Sequence, residues 1–122
     1  AGGTAERPAS IINIGSVGAL KVGPKENYAY QASKSAIHWM AKGLAKRLGR
    51  DNITVNVIAP GFFESEMTVI TSSEMRTMVE SMVPRGRVGT PEDLAGAAIY
   101  LASRAGAYVT GSVIPVEGGL SI

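Results

Sequence analysis

The chain has 122 residues, 45% hydrophobic and 18% charged, with 15 glycines, no cysteine and a formal net charge of +2. This is the composition of one small soluble globular domain; no apolar run approaches the roughly 20 residues that cross a bilayer, and the lack of cysteine excludes a disulfide framework and fits a reducing compartment, the cytoplasm. The modest positive charge is scattered: Lys42, Lys46, Arg47 and Arg50 gather where a helix ends, a place that favours cations, so a nucleic-acid surface is not expected.

The first nine residues read as a loop, without the charged-then-apolar pattern of a secretion signal. Residues 10–14, Ser-Ile-Ile-Asn-Ile, predict a short β-branched strand, and residues 17–27 a loop around Gly23-Pro24. From 28 to 48 the pattern is helical. Ala36, Ile37, Met40, Ala41, Leu44, Ala45 and Leu48 recur at three- and four-residue spacing, and Gly49 reads as the stop. Residues 53–59 carry Val and Ile on both faces, which suits a strand of a parallel sheet covered on both sides. A loop follows to Met67. Ser72 or Ser73, with Glu74, can open a helix containing Met75, Met78, Val79 and Met82. Thr90-Pro91-Glu92-Asp93 predicts another helix start, with Thr as N-cap and Pro at the first position. Its inner stripe is Leu94, Ala97, Ala98 and Leu101. Residues 112–116 form the third strand. The alternation predicts an α/β fold with a parallel sheet and right-handed crossovers, a piece of a doubly wound sheet of three strands and three main helices.

Chemistry concentrates at Ser16 and at Tyr30-Gln31-Ala32-Ser33-Lys34. A helix turns about every 3.6 residues, so Tyr30 and Lys34 share one face. A phenol has an ordinary pKa of about 10. A neighbouring ammonium stabilises phenolate and brings the group toward useful acid–base work near neutrality. Ser16, just past the first strand, can hydrogen-bond a substrate carbonyl or alcohol. The three residues suit proton transfer at oxygen, one half of a carbonyl/alcohol redox step. None can accept hydride, so a cofactor must. Tyr28 has Ala at i+4 and lies on another face; it reads as packing at the helix start or as a wall of the substrate loop. His38 reads as packed or interfacial, Trp39 as core or interface. Asn13, Asn56 and Glu117 read as structural, and no metal-ligand cluster is evident.

Taken in order, Ile11-Ile12-Asn13-Ile14-Gly15-Ser16, Tyr30-x-x-x-Lys34, Thr54-Val55-Asn56-Val57-Ile58-Ala59-Pro60-Gly61 and Thr110-Gly111-Ser112-Val113-Ile114-Pro115-Val116-Glu117-Gly118-Gly119 resemble the C-terminal half of the short-chain dehydrogenase/reductases, from about Ser10 to Gly119. The finer likeness is to 3-oxoacyl-(acyl-carrier-protein) reductases, including the rhamnolipid-pathway type. The resemblance implies a partial Rossmann-type domain over residues 1–122 that interconverts a ketone and a secondary alcohol, possible substrates including a 3-oxoacyl thioester. Ser16, Tyr30 and Lys34 would be catalytic, with Lys34 also holding the nicotinamide ribose. It implies NADP or NAD as cofactor, NADP favoured. Pro60-Gly61-Phe62-Phe63-Glu64-Ser65 resembles the nicotinamide loop, with Pro60, Gly61, the Phe63 backbone and the Ser65 hydroxyl as cofactor contacts. Met67, Met75, Met78 and Met82 fall where the family has a substrate lid; a Met-rich helix packed on the core is the alternative. The family expectation is a homo-oligomer, dimer or tetramer.

The glycine-rich phosphate loop of a dinucleotide fold does not occur in the chain, nor does the family's active-site asparagine. The expectation is therefore a fragment whose phosphate-binding half would precede Ala1, with the first strand left as an apolar edge. An isolated chain acting as an inactive fragment or self-association module is the competing reading.

Overall fold

The computed structural model describes residues 2–65 and 69–122. Within them lie three strands, β1 (Ala9–Ile14), β2 (Ile53–Pro60) and β3 (Val113–Val116), and three α-helices, α1 (Tyr28–Leu48), α2 (Ser73–Met82) and α3 (Pro91–Ala102). The sheet order is β1-β2-β3, all parallel. β2 is the central strand, and Val55, Val57, Ile58 and Ala59 are at most 1% exposed. Its unbroken apolar run is thereby explained by cover on both faces.

α1 covers one face. Ala41 and Ala45 pack on Val55 and Val57, with Ile37, Leu44, Leu48, Ile53 and Val113 around them. Small residues at the contact let helix and sheet approach closely. The buried stripe is narrower than the spacing predicts: Ala36 and Met40 are exposed. α3 covers the opposite face. Ser10, paired in register with Thr54, donates its hydroxyl to Leu101 O at 3.2 Å, and the side chains of Thr54 and Val55 alternate across the sheet.

Helices on opposite faces of a sheet with this strand order require crossovers of opposite hand. The expectation of two right-handed crossovers fails for one of them. The handedness rule reflects compact βαβ units, and the β2–β3 connection instead spans more than fifty residues, with two helices in it.

The helix ends follow their sequence signals with one exception. Ser72 caps α2 by accepting Met75 N–H at 3.1 Å. Thr90 caps α3, and the Asp93 carboxylate takes Thr90 N–H at 2.8 Å. Arg87 forks onto the same carboxylate at 2.6 and 2.9 Å. At the end of α1, Gly49 keeps a right-handed helical conformation and the chain continues through a single 3-10 turn. The left-handed turn is made three residues later by Asn52, at φ 56°. Asn tolerates that region better than most residues, and the Asn52 carbonyl then receives the N–H groups of Gly3 and Ala9.

Asn56 and Glu117 are structural, as expected. Asn56, fully buried, donates to Val109 O at 2.8 Å and accepts Ser112 N–H at 3.1 Å, locking the approach to β3. Glu117 accepts the N–H groups of Gly119 and Ser121. Trp39 is 76% exposed, with Lys42 Nζ 5.5 Å from its ring centre, so the core reading of Trp39 is corrected.

Candidate active site

The chain leaves β1 toward the C-terminal edge of the sheet and turns at once into a 3-10 turn, Val17–Ala19. Ser16 caps that turn: its Oγ accepts Gly18 N–H at 3.0 Å. The residue is 6% exposed, so its hydroxyl is fixed by its surroundings. A serine hydroxyl has a second acceptor site and one proton to give, and the cap leaves both for another partner.

α1 runs beside this exit. Lys34 Nζ donates to Ile14 O at 3.0 Å and lies 5.8 Å from the Tyr30 ring centre. Tyr30 is 38% exposed, at the first turn of the helix. Turn and helix meet around Gly18 at ordinary contact distance. A Cβ there would lie 3.4 Å from Ser16 Oγ and 3.8 Å from Tyr30 Cε1. Ser16, Tyr30 and Lys34, separated by 18 positions of sequence, thus come to one place. Tyr28 does not join them. It is 69% exposed and lines a shallow groove with Gln31, Ala32 and Ser35 against residues 18–22.

His38 adds what the sequence reading missed. It is 8% exposed, and its Nε2 accepts Ser16 N–H at 3.3 Å. Burial and then the charges of Lys34 and Lys42 push its pKa below the ordinary 6.5. Its position at i+4 from Lys34 was a usable signal, because Tyr30, Lys34 and His38 form one row along the helix.

The second segment at this edge follows β2. Pro60 ends the strand. Gly61 donates to Val116 O at 3.0 Å, and a Cβ on it would lie 2.7 Å from Glu117 Cβ. Close packing of β2 against the end of β3 therefore demands glycine here, whatever else the loop does. Phe63 bridges Gly89, and its ring fills the space that a Gly89 side chain would take. The bond is made by Gly89 N–H to Phe62 O at 2.9 Å, so in a parallel pairing Phe63's own amide faces away from Gly89. Glu64 pairs with Arg76 of α2, and Ser65 is exposed at the end of the stretch.

α2 buries only Val79; Met78 and Met82 are 56% and 42% exposed. This is against a helix packed on the core through its methionines. Met67 lies outside the described residues.

The donor set can be weighed against a dinucleotide. An ammonium has three donors; Lys34 spends one on Ile14 O, which leaves two for vicinal ribose hydroxyls. With the Phe63 amide, this fits the nicotinamide–ribose end. The described residues offer no glycine-rich turn after a first strand for the pyrophosphate.

A family model described as enoyl-(acyl carrier protein) reductase matches residues 2–121. The chain is 46% identical over 121 residues to the rhamnolipids biosynthesis 3-oxoacyl-(acyl-carrier-protein) reductase of Pseudomonas aeruginosa, covering 98% of this chain and 47% of that protein. It superposes on the Pseudomonas aeruginosa RhlG/NADP active-site complex with a TM-score of 0.92 at 45% identity, over 98% of this chain and 49% of that one. A blue fluorescent protein from a metagenomic library, in complex with NADPH, gives 0.86 at 36% identity, over 93% and 45%. The chain spans about half the length of the curated relatives it matches.

Proposed function

The chain belongs to the short-chain dehydrogenase/reductase family, and from that premise we propose that the protein carrying it is an NADP(H)-dependent oxidoreductase that interconverts a ketone and a secondary alcohol, with a 3-oxoacyl thioester as substrate. The observation that carries the proposal is the convergence at Gly18 of the Ser16 hydroxyl and the Tyr30 ring, with the Lys34 ammonium beside that ring.

In this reading Tyr30 gives its phenolic proton to the ketone oxygen during reduction and takes it back in oxidation. Lys34 places positive charge beside the oxygen that becomes phenolate, and stabilises it. Ser16 points its hydroxyl at the reacting oxygen and fixes the carbonyl in the plane that proton transfer needs. Lys34 and the Phe63 backbone hold the nicotinamide–ribose end, with Pro60 and Gly61 shaping the loop and the Ser65 hydroxyl as a further contact. A bound nicotinamide supplies the hydride, which no side chain here can. NADP is preferred to NAD because the relatives superposed above are NADP and NADPH complexes. Met75, Met78 and Met82 would line the acyl chain; their soft, unbranched side chains adapt to apolar shapes.

The test is turnover by the full-length protein, read from loss of reduced nicotinamide with a 3-oxoacyl thioester. Reduction by the native protein that disappears in Tyr30→Phe supports the reading. Equal rates for the two proteins would sink it.

A second reading concerns assembly. Tyr28, Trp39 and Met40 leave a large apolar surface exposed on α1. We propose that a second copy of the protein covers it. Native mass spectrometry should give a dimer or tetramer that weakens in Trp39→Lys; a monomer at micromolar concentration refutes this.

A further inference from the structure

One buried ionisable group has no part in the scheme above. His38 and Lys34 sit one helical turn apart on α1, and both reach the same bend in the chain. Lys34 holds the carbonyl of Ile14, before Gly15, and His38 holds the amide of Ser16, after it. Gly15 makes the grip possible: a Cβ there would lie 2.1 Å from His38 Nε2 and 2.7 Å from Val57 Cγ1. The Ser16 backbone is extended, at φ −165° and ψ 149°. Its N–H and its hydroxyl are each tied by one hydrogen bond, to His38 and from Gly18.

We propose that His38 is a positioning residue for Ser16: its neutral imidazole, protonated on Nδ1, takes the Ser16 N–H through Nε2 and so sets where the Ser16 hydroxyl points. The inference rests on the reading of Ser16, Tyr30 and Lys34 as the proton-transfer site. A protonated imidazole has two donors and no acceptor, so the grip exists only in the neutral form. That form is favoured by burial and by Lys34 and Lys42 on the same helix. The charges that act on the ring come from Lys34 and Lys42 of its own helix; the groups that meet its Nε2 edge from outside α1, Gly15 and the Ser16 amide, are uncharged.

The experiment uses the full-length protein, native and as His38→Leu and His38→Gln, assayed with NADPH and a 3-oxoacyl thioester across the acidic range. Glutamine offers an amide oxygen near the place of Nε2; leucine offers no acceptor. His38→Leu should lose about ten- to a hundredfold in kcat, the scale expected when a reacting group is misplaced by about an ångström, with little change in KM for NADPH. His38→Gln should recover most of the rate and lack the acid limb that His38 titration gives the native enzyme. Unchanged kcat in His38→Leu, no recovery in His38→Gln, or an acid limb that persists in His38→Gln overturns the proposal. A folding defect in His38→Leu is bypassed by nitrogen-15 NMR of the native protein. Nε2 must be unprotonated at neutral pH, and the Ser16 amide resonance must move as His38 titrates; an Nε2–H tautomer refutes the assignment. The NMR result stands even if the native protein reduces no ketone, an outcome that would instead remove the proposed function.

Discussion

The chain leaves β1 and β2 at the same edge of the sheet, but the two exits are held by different means. At the β1 exit, residues 14–16 are gripped by Lys34 and by buried His38, against a helix packed on the sheet core. At the β2 exit, Gly61 and Phe62 are held by backbone bonds to Val116 and Gly89, and beyond them the loop meets α2 through the Glu64–Arg76 pair, whose side chains are 52% and 41% exposed. Buried neighbours fix a side chain because moving it would open a void or strand a polar group. Surface ion pairs contribute little and let go easily. The proposed proton-transfer site gains from the first arrangement. The proposed acyl-chain cover gains from the second, since covering segments come from the less stable parts of a fold.

The contrast can be broken most sharply at Tyr30. Removing its hydroxyl in Tyr30→Phe should lower turnover by about 10²- to 10⁴-fold, the range for a general acid–base group, while the melting curve stays close to native. At the β1 exit, Gly15→Ala should cost about 1–3 kcal/mol, as overpacking in a tight interior does. The clash is with His38 and Val57, so urea unfolding should show the loss and catalysis should fall with it. Asn56→Leu should cost a comparable amount, about 1–3 kcal/mol for the buried polar groups it strands at Val109 and Ser112. It lies away from the proposed site, so kcat in the folded fraction should hold. At the β2 exit, Arg76→Ala should change stability by no more than about 1 kcal/mol. Its effect should instead appear in KM for long-chain thioesters. A stability loss in Arg76→Ala as large as that of Gly15→Ala would erase the distinction between the two exits.

A pH series sharpens the same contrast. His38 has a folded-state pKa below 6.5, with burial the leading cause. Below pH 6.5 the unfolded chain therefore binds more protons there than the native protein. This contribution is complete above that pH and is lost as pH falls toward the folded pKa. The Asp93 carboxylate, held far below its ordinary range by hydrogen bonds from Arg87 and from Thr90 N–H, works in a more acidic window. Its contribution is complete above the ordinary carboxylate value, and protonation removes it as pH falls. Thermal melts between neutrality and pH 5 should thus report on His38, and His38→Gln should flatten that part of the curve.

Much of the molecule was legible without coordinates because its signals are local. The span of α1, the Ser72 and Thr90 caps and the Tyr30–Lys34 face depend on residues within a turn or two of one another. The apolar run of β2 announced burial on both faces. Gly49 shows where local reading fails. Glycine permits a left-handed stop but does not impose one, and the turn came at Asn52, where the carbonyl could serve Gly3 and Ala9.

What the sequence by itself determined was the set of elements and the residue types able to move a proton. Tertiary structure decided which of them meet. It put α1 and α3 on opposite faces, left Trp39 outside and brought Ser16 to Tyr30 across Gly18. It also turned His38 from an ordinary helical residue into the acceptor for Ser16 N–H. Periodicity encodes which face of an element is apolar; the partner that covers the face, and the angle at which it arrives, follow only from packing all the elements at once. That is why a glycine at 15 and a histidine at 38, with no local link in the sequence, become one contact.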